Sequence, residues 1–121
     1  MKSILITSFM LLVLFLGVVI AQDDIERKKI DYLITSIEHI EGSKFIRNGT
    51  EHGGKEAAEH LRSKLKSAGG KVKNADDFIR LCASKSIISG KPYKIKTPDG
   101  KTINSEQYFR EKLKEYKSAE K

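Results

Sequence analysis

One cysteine, Cys82, is all the thiol chemistry this 121-residue chain carries. No internal disulfide can form, so packing alone must hold the fold. The chain has no HExxH and no GxSxG element, and so no motif for a zinc protease or a nucleophile elbow. Gly90-Lys91-Pro92 looks like the end of a phosphate-binding loop, but Pro stands where Ser or Thr is needed and Lys85 where the first Gly is needed. After residue 21 no further long apolar run occurs, and no Cys follows that run, which closes the lipoprotein route. Internal repeats and low-complexity tracts are also missing.

What is present begins with Met1-Lys2-Ser3 and the uncharged run Ile4–Ala21, ending Val19-Ile20-Ala21 before Gln22-Asp23-Asp24. That is the pattern of a secretory signal peptide over residues 1–21, cleaved before Gln22. The alternative is an uncleaved anchor, since about 18 apolar residues just suffice to span a bilayer. Cleavage leaves residues 22–121 as one small α+β domain with no membrane span, expected to be periplasmic or secreted and monomeric. The formal charge is +7, and it is uneven. Gln22–His60 holds nine acids and six bases, Leu61–Lys121 seven acids and sixteen bases. Such asymmetry gives either one anion-attracting face or a solubilising lysine surface, and the second is the commoner use.

Ile30, Leu33, Ile34, Ile37 and Ile40 fall at helical spacing and predict a first helix over Asp23–Glu41, stopped by Gly42. Lys44–Arg47 is too short for a strand on its own and reads, with Asn48-Gly49, as a turn or hairpin-like corner. Asn48-Gly49-Thr50 also matches the glycosylation sequon. A second helix is predicted over Gly54–Ala68, and a third over Ala75–Ser84 capped by Asn74, with Phe78, Ile79 and Cys82 buried. From Tyr93 the period becomes two: Tyr93–Lys96, a turn at Thr97–Gly100 and Lys101–Ile103 make a hairpin. A last helix over Glu106–Tyr116 is expected to be capped by Asn104 or Ser105, with Gln107 as capping-box partner. The fold class is α+β: three N-terminal helices, one β-hairpin and a C-terminal helix.

Phe45–Leu65 is where turn chemistry, titratable groups and an amphipathic pattern meet. His52, Glu56 and His60 are spaced i, i+4, i+8, which would share a helix face and supply a zinc ligand set. His52, however, precedes Gly53-Gly54, so no metal site is expected, and no cofactor motif is present. Ser84 and Ser86 could each be a nucleophile beside a histidine, but serines after a helix more often bond its last turn. Ser63 and Lys66 match S-x-x-K on a charged helix surface, a coincidental match. Arg47 beside a turn offers a fork of donors suited to a carboxylate or phosphate; the plainer expectation is a pair with Glu51 or a helix end.

The segments KFIRNGTEHGGKEAAEHLRSKL and DDFIRLCASKSIISGKPYKI resemble the YfeK-like family of small exported bacterial proteins, a domain of unknown function, over about Ile30–Leu113. Its most specific parts are Arg47–Gly49, Ala57–Leu61 and Ser89–Tyr93. The resemblance implies a bacterial, exported, single-domain protein and brings no activity with it.

The residues favour a non-enzymatic binding module of the cell envelope, its partner an envelope component or a small anionic ligand. The candidate cleft is Arg47, Asn48, His60, Ser84, Ser86 and Tyr93. A small hydrolase with His60 as base and Ser86 or a metal is the enzyme alternative. Attachment to anionic surfaces through Lys91, Lys94, Lys96 and Lys101 is a third. Specific nucleic-acid binding is not expected, because no exposed aromatics interleave those lysines to stack bases.

Overall fold

The helical stripe Ile30, Leu33, Ile34 and Ile37 is buried along its whole length, and the fold is assembled on it. The computed structural model describes residues 23–119; the expected signal segment 1–21 and its cleavage point lie outside the described residues. Helix α1 covers residues 23–38. It is followed by β1 (Lys44–Arg47), β2 (Thr50–His52), α2 (Gly54–Ala68), α3 (Ala75–Cys82), β3 (Lys94–Lys96), β4 (Thr102–Asn104) and α4 (Ser105–Ala119). The α+β class and the order of helices and hairpin are as read from the sequence. Among the described residues no helix is long and apolar enough to cross a membrane.

The sheet is larger than expected. Lys44–Arg47 is not merely a corner but an inner strand, in the order β2-β1-β3-β4 with every pair antiparallel. Asn48 and Gly49, at φ 51° and 81°, turn β1 into β2. These positive values are the geometry a two-residue Asn-Gly hairpin loop needs. Phe45 lies opposite both His52 and Ile95, and Ile95 opposite Ile103. That row faces the helices, with Phe45 and Ile95 fully buried. Alternation sends Lys44, Lys94 and Lys96 to the outer face, where Lys96 sits 3.4 Å from Glu51. One face is dry and the other solvated, the usual state of an antiparallel sheet packed by helices on one side.

Helix ends differ from the sequence reading in three places. Helix α1 stops at residue 38, not 41, and Gly42 (φ 70°) belongs to the connection beyond it. Helix α3 ends at Cys82, where Ser84 Oγ donates to the Ile79 carbonyl (2.5 Å) and closes the last turn. Helix α4 starts at Ser105 directly out of β4. The Ser105 N–H is committed to the Tyr93 carbonyl (2.8 Å), its buried hydroxyl has no partner among the described residues, and Gln107 reaches Glu111 instead of back to the cap. The predicted capping box is therefore absent. The start of α3 follows expectation: Asn74 Oδ1 accepts from Asp77 N–H (2.8 Å), while the Asp77 carboxylate accepts from Lys73 N–H (3.0 Å). Glu26 of α1 accepts from the Ala75 N–H (2.9 Å) and ties the two helices together.

The core joins the α1 stripe to Ala57, Ala58 and Leu61 of α2, Phe78, Ile79 and Cys82 of α3, and Tyr108 and Phe109 of α4. Cys82 is buried, as its stripe predicts, and burial raises its thiol pKa. Phe78 and Phe109 meet edge to face, ring centres 6.3 Å apart.

Candidate functional site

Strand alternation decides where Arg47 goes. It shares the inner face of β1 with Phe45, whereas Glu51 lies opposite Ile46 and so on the outer face. The expected Arg47–Glu51 pair therefore does not form. Arg47 instead extends over α2, and its Nη1 lies 2.6 Å from His60 Nδ1. A guanidinium only donates, so Nδ1 is the acceptor and Nε2 carries the imidazole hydrogen. That hydrogen faces the Tyr93 hydroxyl at 3.3 Å, which also receives the Lys64 ammonium at 2.9 Å. Lys64 further donates to the Lys85 carbonyl (3.1 Å) and lies over the Tyr93 ring, 4.8 Å from its centre. The result is a continuous polar chain, Arg47–His60–Tyr93–Lys64–Lys85, connecting β1, α2 and the loop before β3.

That chain lines an open groove of about 1020 Å³. One wall is a single stripe of α2: His60, Ser63, Lys64, Ser67 and Ala68, continuing to Lys71. Spacings of three and four residues put them on one side of the helix. The opposite wall is the connection after α3. It is pinned by the Lys85–Pro92 bridge and by Ser86 N–H to Lys91 O (3.0 Å) and Gly90 N–H to Ser86 O (2.9 Å). Its tip is tied to the β1–β2 turn, because Ser89 Oγ donates to Asn48 Oδ1 (2.6 Å). The fixed tip holds Ile87 and Ile88 outward, 81% and 98% exposed.

Of the residues singled out from sequence, Arg47, Asn48, His60, Ser86 and Tyr93 line this groove. Ser84 does not line it; its hydroxyl is spent on α3 and its carbonyl on Tyr93 N–H. Ser86 is buried and accepts from Ser89 N–H (3.3 Å), and neither serine is paired with His60. His52 ends β2, with Nδ1 2.6 Å from Glu56 Oε1, so the three-residue metal face is not assembled. Among the described residues no group of three His, Cys, Asp or Glu side chains is placed to hold a metal ion. Sequence reasoning missed Lys64, Lys71, Arg80, Lys85, Ile87 and Ile88. For Lys64 and Lys71 the one local signal is the α2 stripe from His60 onward, where bases and hydroxyls recur at helical spacing without an acid; Arg80, Lys85, Ile87 and Ile88 lie on α3 and the loop after it and have no such signal.

Electrostatically the groove is one-sided. Among the described residues no Asp or Glu lines it, while Arg47, Lys64, Lys71, Arg80 and Lys85 do. Arg80 is answered by Asp77 at 3.0 Å; the other four make no ion pair among the described residues. Burial first, then the charges of Arg47 and Lys64, lower the His60 pKa from 6.5 to about 4. His60 is accordingly neutral at pH 7. The unfolded chain takes up this proton first as pH falls, so stability should be full above about pH 6.5 and decline toward pH 4. His60→Gln, which cannot titrate, should flatten that slope in urea melts across the same range. An unchanged slope would show that His60 carries no such linkage.

The family described as "Family of unknown function (DUF5329)" matches residues 24–117. The uncharacterized protein YfeK of Salmonella typhimurium is 37% identical over 68 residues, 56% of this chain and 57% of that protein. The match thus spans little more than half the length of that relative. Both findings agree with the resemblance drawn from the sequence. No solved structure matches this chain.

Proposed function

The chain belongs to the DUF5329 family of unknown function, and on that premise we propose that it is an exported, non-enzymatic binding module of the cell envelope whose groove takes a small anionic ligand. The observation that carries this reading is that, among the described residues, the groove is lined by five cationic side chains and no carboxylate. Arg80 alone of these is answered by an acid, Asp77; the other four repel one another, and a bound anion removes that cost. Arg47 and Lys64 flank the neutral His60 and supply charge-assisted donors, the strongest class of hydrogen bond available to a carboxylate or phosphate. Export rests on the apolar run Ile4–Ala21 and the polar start at Gln22.

Binding is favoured over hydrolysis by the state of His60. A general base works best with a pKa near the working pH, and His60 is held near 4 with both ring nitrogens engaged away from serine. Calorimetry with inorganic phosphate at pH 7.5 and low salt is the test. Arg47→Gln and Lys64→Gln should each weaken binding roughly tenfold, and the double variant should abolish it. The outer-face change Lys94→Gln should leave it unaltered. Equal binding by all variants, or none by the unaltered protein, would overturn the assignment.

A further inference from the structure

Apolar side chains line the groove alongside its cations, and an inorganic anion would leave them uncovered. Arg47, His60, Tyr93 and Lys64 cluster within hydrogen-bond reach of one another. Ala68 lies two turns further along α2, roughly 12 Å from His60. Leu81 of α3 and the isoleucines of the pinned loop complete the apolar lining. Ile87 and Ile88 are the most exposed large apolar side chains among the described residues, and hydrogen bonds at both ends of their loop keep them from folding back. The volume of about 1020 Å³ also far exceeds what one acid group fills.

A bare anion would leave the isoleucines in water, and a neutral hydrocarbon would leave the cations unanswered. Building on the anion-binding reading above, we propose that the ligand is a single-chain anionic amphiphile: its acid group is held between Arg47 and Lys64, and its hydrocarbon chain runs along Ala68 and Leu81 beneath Ile87 and Ile88. Charge complementarity fixes the head, and removal of apolar surface from water supplies the remaining affinity and the choice of chain over bare anion.

Dodecyl phosphate, kept below its micelle concentration and titrated into protein purified in its exported form, tests this against inorganic phosphate and dodecyl maltoside. Every two methylenes taken out of water strengthen binding roughly tenfold. Dodecyl phosphate should therefore bind one to one and at least roughly 100-fold more tightly than inorganic phosphate, with dodecyl maltoside far weaker. The double change Ile87→Ser with Ile88→Ser should remove roughly tenfold or more of the dodecyl phosphate affinity and leave phosphate binding as it was. If dodecyl phosphate and phosphate bind equally, the amphiphile proposal fails while the anion site stands. If neither binds, both fall. Sedimentation with phosphatidylglycerol vesicles that needs Ile87 and Ile88, without one-to-one dodecyl phosphate binding, would make the loop a membrane contact and overturn the proposal.

Discussion

Gly54→Ala should lower the stability of the protein by at least about 2 kcal/mol, although alanine is the better helix former. Gly54 opens α2, and a methyl group there would overlap the Ile37 carbonyl oxygen and meet that of Glu38 at 3.0 Å. Both are backbone atoms of the last turn of α1, so no side-chain rotation relieves the overlap. The two helices must separate, and with them the Glu38–Arg62 pair that links their exposed edges (2.9 and 3.2 Å). Helix propensity acts the other way, which makes the sign decisive. Gly53→Ala is the internal control, because nothing lies within 4 Å of the added carbon. Urea midpoints of the two variants should differ clearly; a neutral Gly54→Ala would mean that α1 and α2 are not this close. Phosphate binding should fall with Gly54→Ala as well, since α2 carries His60 and Lys64 to Arg47.

Phe78→Ala should cost about 3–5 kcal/mol. Phe78 is fully buried and reaches from α3 to the Phe109 ring of α4, with Ile79 and Cys82 on the same stripe. Truncation loses the transfer free energy of a ring and leaves a cavity the neighbours fill only in part. In a domain of this size, total stability is on the order of 5–15 kcal/mol, and Cys82 has no partner for a covalent tie. Much of the protein should therefore be unfolded or molten at moderate temperature, with Phe78→Leu intermediate. Near-ultraviolet dichroism and urea melts measure this. A loss under about 1 kcal/mol would remove Phe78 from the centre of the core.

What the sequence made legible was whatever is decided within one helix turn or one tight turn. The bounds of α2, the Asn74 cap, the buried Cys82 stripe and the turn into β4 all depend on neighbours a few residues apart. Strand β1 is different. Four residues have no stability of their own, and it is held by pairing Phe45 with Ile95, fifty positions away, which no local period reveals. Ser105 misled for a related reason: its cap chemistry is overruled because the chain enters α4 from a strand already bonded to Tyr93. At the groove, Arg47, His60 and Tyr93 stood out as polar groups beside turns. Lys64 and Lys71 did not, because lysine on a helix reads as a solvated face until another segment lies across it. The segment that does so here, Ser84–Lys91, has no periodic pattern and takes its shape from hydrogen bonds to Asn48, Lys64 and its own ends.

The groove as an anion site is tested most directly by the titration of His60 itself. Its pKa is held near 4 by burial and by Arg47 and Lys64. An anion seated between those two cations favours the charged imidazole and must raise that value. Proton NMR of the His60 ring, followed with and without sulfate at constant ionic strength, should show a midpoint near 4 in chloride and roughly one unit higher in sulfate. The same His60 midpoint in both salts would contradict an anion site at Arg47 and Lys64.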